Sequence, residues 1–380
     1  MAHTFRTNAE SLPIEIWLHV FEEYFTLKEL WHSFRDLNTR INEILDQTNL
    51  HLTISSFPQN ASEYRYNQVL PNASNALNVK SIKVNSLHYV EKFLALHRFD
   101  TFSKIRSVHL NKVFVDKVTY AELLDQLASL KHLRSLFIAV RKAHSSDVHF
   151  YSVDEQKMAI SELTDILVRS VLIEQRIPSL KHLQLHEEIL CLPPVPSSLY
   201  NTIPVIMKIE HLTVDGLYFD ILSKLIPYLQ HVKSVRITQL KNSSNNIAPF
   251  IMRSSMAEAH AKRLPNCIFF SSSIRLNSNT ENFDQIEFLL KMLPAVEQLH
   301  LKVFPVSTLN NVNWDFLLSN FCPKLLKLTL KFTNRLSFRE NADIARKTLS
   351  NSLFWVTRHV RSNYDEQRSN SAFLIEFDLK

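Results

Sequence analysis

The chain has 380 residues, 45% hydrophobic and 21% charged, which is ordinary for a globular protein. Its 43 Lys and Arg stand against 37 Asp and Glu, and no dense basic run marks a nucleic-acid binder. A single glycine, Gly216, excludes a phosphate-cradling loop, a dinucleotide fingerprint and a nucleophile elbow, each of which needs several.

The three cysteines, Cys191, Cys267 and Cys322, are far apart. They give neither a disulfide framework nor zinc spacing, and they fit a reducing compartment, cytoplasmic or nuclear. The N-terminus is polar and reads as no secretory signal. No apolar run approaches the roughly 20 residues of a membrane span. With glycine so scarce, positive φ angles are expected at Asn, which tolerates them well.

Residues 1–10 read as a loose tail. Residues 12–45 carry three short amphipathic helices. In the first, Leu12, Ile16, Val20 and Tyr24 recur every fourth residue, as do Pro13, Trp17 and Phe21, which gives a wide apolar face. Pro13 suits the first helical turn, and Glu22 and Glu23 fall on a solvated side. Thr26 and Glu29 have capping-box spacing, so a second helix is expected near Leu27, carrying Leu30, Trp31 and Phe34. The third carries Leu37, Ile41, Ile44 and Leu45. About 35 residues cannot bury this much apolar surface among themselves, so part of it must meet the rest of the chain or a partner.

Leu12-Pro13, Glu15-Ile16, Val20-Phe21, Leu27 and Leu30 resemble the F-box motif. The resemblance covers residues 11–48. It implies binding of a Skp-type adaptor, and through it a cullin scaffold, by Leu12, Pro13, Ile16, Val20, Phe21, Leu27 and Leu30.

Residues 50–54 form a candidate short strand. From Val79 onward one phrase recurs: apolar, two others, apolar, one other, apolar. It reads Val79/Ile82/Val84, Ile105/Val108/Leu110, Leu133/Leu136/Ile138, Leu180/Leu183/Leu185, Ile209/Leu212/Val214 and Val232/Val235/Ile237. It continues as Ser271/Ile274/Leu276, Val296/Leu299/Leu301 and Leu325/Leu328/Leu330, with Leu374/Phe377/Leu379 as a tenth candidate. Thr119 with Glu122 is expected to open a helix running to Leu130, Ser152 with Glu155 another reaching about Gln175, and Asn282 with Gln285 a third. Pro227, Pro265 and Pro294 stand near helix ends. Residues 141–152 and 241–249 are polar insertions. These strand–helix units resemble the leucine-rich repeat family over residues 49–380. The expected fold is therefore α/β: a three-helix F-box followed by a horseshoe-like solenoid whose units stack to share a core.

In such a solenoid the residues between core positions line the concave face. Here they include His109, His182, His186, His211, Arg236, Arg275, His300 and Lys302. Cationic and imidazole side chains suit an acidic or phosphorylated target. His182 and His186 sit about 13 Å apart on one strand, too far for one metal ion bound at about 2 Å. No catalytic arrangement, cofactor site, metal site or membrane partner is expected. By resemblance the chain is a substrate receptor of a cullin-based ubiquitin ligase. The alternative is a non-ligase interaction scaffold whose helices are a structural cap.

Overall fold

A computed structural model describes residues 12–25, 29–30, 33–54, 78–85, 99, 102–111, 117–139, 170–171, 174–186, 206–241, 263–275, 282–304, 314–333 and 372–378. The tail, the insertion at 141–152, all but Lys241 of that at 241–249, and most of the helix expected after Ser152 lie outside these residues. The chain divides into two compact units, Met1–Asp147 and Val148–Lys380. The helical segment thus belongs with the first strands of the sheet.

In the first unit β1 (Asn49–Ile54), β2 (Asn78–Val84), β3 (Ser107–Leu110) and β4 (Ser135–Ala139) pair in parallel and in chain order. Every aliphatic of the first three recurring phrases is buried. A parallel strand buried on one face needs a cover, and α3 (Lys117–Ala128), between β3 and β4, buries Leu123, Leu124 and Leu127. This helix is already running at Lys117, two residues before the expected start. The Thr119/Glu122 pair lies inside it, because nothing in Lys117 or Val118 breaks a helix.

Ahead of β1 stand α1 (Ile14–Tyr24) and α2 (Thr39–Gln47). Pro13 is the N-cap of α1 rather than its first helical residue. Asn38 caps α2 by accepting the Ile41 N–H at 2.8 Å. Residues 29, 30 and 33 are helical, and the Phe34 N–H donates to the Leu30 carbonyl at 3.0 Å. The rest of the expected middle helix, including Leu27 and Trp31, lies outside the described residues. Two of the three expected helices are therefore seen, the last without Leu37, which precedes the Asn38 cap and is exposed, and a complete three-helix arrangement is not shown.

In the second unit β5 (His182–His186), β6 (His211–Tyr218), β7 (Ser234–Lys241), β8 (Phe269–Arg275), β9 (Gln298–Phe304) and β10 (Lys327–Thr333) are parallel, again in chain order. The helices α4 (Phe219–Leu225), α5 (Asn282–Lys291) and α6 (Trp314–Phe321) link them. Pro227 sits in a 3₁₀ turn, Ile226–Tyr228, directly after α4. The ten parallel strands establish an α/β, solenoid-like repeat in each unit.

Three expectations are corrected. β11 (Ala372–Asp378) is antiparallel to β10, with Leu328 opposite Phe377 and Leu330 opposite Ile375. Alternation of apolar residues encodes a buried face but no direction, so the tenth phrase could not reveal this. The phrase in β8 begins four residues earlier than expected. Phe270 pairs with Val235 and Leu299, and Ser272 with Ile237 and Leu301. Cys267, Phe270 and Ser272 fill the slots taken elsewhere by aliphatics, and Leu276 lies outside the described residues. Finally, the positive-φ residues among those described are Asp36 at 64° and Gln175 at 50°, and neither is Asn. The Asp36 N–H is held by the Asn42 side chain at 2.9 Å, which fixes that turn.

The Ser272 hydroxyl is buried without a hydrogen-bond partner. Ser272→Ala removes it and should raise stability by about 1 kcal/mol. Phe270→Ala should cost about 3–5 kcal/mol. Urea unfolding of the full chain checks both; equal and small effects would contradict this frame for β8.

Candidate binding surfaces

Helix α1 has two apolar faces. On the inner one Phe21 is buried within an aromatic cluster: its ring centroid lies 5.0 Å from Trp17 and 5.0 Å from Phe34, with Phe25 5.1 Å from Phe34. Leu30, Ile41, Ile44 and Leu45 complete this core. Glu22 does not sit in solvent as expected. Its Oε1 accepts both the backbone N–H and the Nδ2 of Asn49 at 2.9 Å, which ties α1 to the first residue of β1. The outer face carries Leu12 at 37% exposure, Ile16 at 47% and Tyr24 at 73%, with Val20 half-buried between them.

The residues expected to meet an adaptor are thus divided. Leu12, Pro13 and Ile16 are exposed, Val20 is half-buried, and Phe21 and Leu30 have no exposed surface. The last two are core residues and present nothing to a partner. Leu27 lies outside the described residues. The exposed ring of Tyr24 continues the stripe at helical spacing.

The second candidate surface is the sheet face carrying the residues between buried positions. In the first unit His109 stacks on Phe137, centroids 5.3 Å apart. In the second unit registry places side chains in rows. His182 and His211 stack at 4.5 Å and 10°. The Arg236 guanidinium lies 5.0 Å over the Phe269 ring, and His300 is 5.3 Å from the same ring. Lys302 stands two residues beyond His300 on β9. Arg275 is the last residue of β8, and its side chain lies outside the described part. Phe269 brings Arg236 and His300 to one ring; with the phrase in β8 set four residues late, nothing in the pattern placed it here.

His186 is held within the face. Its Nδ1 is 3.0 Å from Asp215 Oδ2, and Asp215 Oδ1 accepts from Thr238 Oγ1 at 2.9 Å. Gln184 Nε2 is 2.6 Å from His186 Nε2. The amide nitrogen donates, so the ring proton sits on Nδ1 and donates to Asp215. His186 is thereby a positioned hydrogen-bonding group. Among the described residues no three metal-type ligands come together.

Burial lowers the pKa of His109, aided by Lys83. Burial also lowers that of His211, aided by His182 and Lys233 and opposed by Glu210. Glu210 accepts from Lys181 at 2.5 Å and from Lys233 at 2.7 Å, and these bonds hold its carboxyl at about 2.

No protein-family model matches the chain, and no curated protein is significantly similar to it.

The lowered imidazole values fix a pH dependence. Both rings are neutral above 6.5, the ordinary value. Below it the unfolded chain takes up protons first, so stability present above 6.5 is lost as the pH falls through the lowered folded values. The unfolding midpoint should fall between neutral pH and about pH 5, and His211→Gln should shrink that drop. A profile unchanged by the substitution would contradict a lowered pKa at His211.

Proposed function

We propose that this chain is the substrate-recognition subunit of a cullin-based ubiquitin ligase. Its helical segment holds a Skp-type adaptor, and its sheet holds the target protein. The observation that carries this is the outer stripe of α1. A helix that merely closes the end of a sheet needs one apolar face, which Phe21 and its ring neighbours supply. Leu12, Ile16 and Tyr24 add a second face, exposed and continuous along the helix. Such a face is an interaction site or a liability. The F-box-like residues Leu12 and Ile16 lie on it, and Pro13 beside them is exposed, which suits an adaptor contact.

The target's chemistry follows from the sheet. The second unit presents Arg236, Lys302, Lys327 and Lys331 together with His182, His211 and His300 between its buried positions. Asp215 lies among them and is already bonded to His186 and Thr238. Acidic or phosphorylated segments complement this face. The protein would position a target and carry out no covalent step, working where such ligases do, in the cytoplasm or nucleus. Among the described residues no helix is long and apolar enough to cross a membrane.

The rival reading is a non-ligase scaffold with a helical cap. Burial of Phe21 and Leu30 and the Glu22–Asn49 bonds favour it. The two readings assign different faces of α1, so substitutions separate them. Leu12→Ala with Ile16→Ala should weaken adaptor binding at least tenfold, because loss of a central anchor costs about 2 kcal/mol and 1.4 kcal/mol is tenfold. The unfolding midpoint should hardly move. Titration calorimetry with purified adaptor and a thermal melt give both numbers. Undiminished affinity, or no binding by the parent chain, would leave the scaffold reading.

A further inference from the structure

The residue just before each strand forms a row across the strand ends. In the second unit the row reads Lys181, Glu210, Lys233, Ile268, Glu297 and Leu326, linked by backbone hydrogen bonds from each N–H to the preceding carbonyl. It is self-neutralising where charge is densest, because Glu210 bonds both flanking lysines.

The first unit departs from this. Its row is Lys80, Arg106 and Arg134, which stand just before the paired residues Ser81, Ser107 and Ser135. The Arg106 N–H donates to the Lys80 carbonyl, and the Arg134 N–H to the Arg106 carbonyl, each at 2.8 Å. Three cations therefore occupy neighbouring strands about 4.8 Å apart. Like charges side by side are destabilising. Among the described residues none of the three forms an ion pair, and exposed Lys104 and Lys131 add charge in the turns leading into β3 and β4. Lys80 registers the crowding: burial first, then Arg106 and Lys104, lower its pKa. Lys80 is also the extra residue of a β-bulge, since Leu50 pairs with Val79 and His51 with Ser81. Bulges re-aim side chains and gather near functional sites.

We propose that the row of Lys80, Arg106 and Arg134 is a docking site for an acidic segment of a partner protein. Charge complementarity argues for carboxylates. Arginine binds them in a two-pronged fashion, and alternate residues of an extended peptide, about 6.7 Å apart, place two carboxylates along the row. Single-stranded nucleic acid would call for exposed rings on which bases stack, but Phe99 and Phe102 of the adjoining turn are buried. A membrane surface would call for apolar anchors, and none of the exposed large apolar side chains among the described residues lies in the turns before β3 and β4. The site uses no residue of α1 and does not depend on the adaptor reading.

The test uses the full chain with three fluorescent probes: a short poly-glutamate peptide, a poly-thymidine oligonucleotide, and phosphatidylserine vesicles. The peptide should bind best, weaken as salt rises, and lose about tenfold or more in affinity in the Arg106→Gln/Arg134→Gln variant. Absent peptide binding, equal binding by the variant, or preferred binding of the oligonucleotide or vesicles that is lost in the variant would each overturn the proposal. A second readout needs no partner. Arg106→Gln alone should raise the unfolding midpoint at low salt, and the gain should vanish at high salt. A lowered midpoint would show that Arg106 serves an internal acidic group, and that too would overturn it.

Discussion

Each described strand of this protein is short and, among the described residues, pairs only with its neighbours in the sequence. Parallel registry is the interaction on which everything else depends. It places Leu183, Leu212 and Val235 in one buried file and Leu185, Val214 and Ile237 in the next. No unit can bury its own apolar side, so each is stable only through the next one along. The same registry that builds the core also aligns the residues between core positions, and so it builds rows of surface chemistry without any further device.

Those rows differ in how they handle charge and rings. His182 on His211 and Arg236 over Phe269 are cross-strand pairs of the kind that stabilise a sheet. Lys181, Glu210 and Lys233 form a closed charge group. Lys80, Arg106 and Arg134 share that geometry without the carboxylate. A stack of strands must also end somewhere. At β1 it is met by the helical segment, whose Phe21 and Leu30 join the core and whose Glu22 takes up the first strand's N–H. The outer side of α1 is left over from that task.

Much of the repeat was legible in the chain, because aliphatic side chains at fixed spacing mark buried positions directly. Legibility failed where another residue type did the same work. In β8 Cys267, Phe270 and Ser272 hold the slots, and a search for Leu, Ile and Val slides four residues along to Ile274. The direction of β11 was invisible because alternation is the same in either sense. Among the F-box-like residues the pattern located α1 but could not divide its faces. Leu12 and Phe21 are equally apolar, and the choice between them was made by Trp17, Phe25 and Phe34, whose rings gather around Phe21 alone. The row at the strand ends was missed for a simpler reason: each member sits directly after the first apolar residue of its phrase, ahead of the alternating positions from which the face was read.

The two-faced α1 is the point from which both functional readings start, and hydrogen exchange on the full chain tests it most directly. Free protein should show slow exchange at the amides of β1 and of the inner turns of α1, held by the shared core. Saturating Skp-type adaptor should slow exchange further across Ile14–Tyr24 while leaving β5 through β10 unchanged. An α1 whose exchange is indifferent to the adaptor, or protection that appears in the second unit's strands instead, would contradict a helix that caps the sheet with one face and offers the other to a partner.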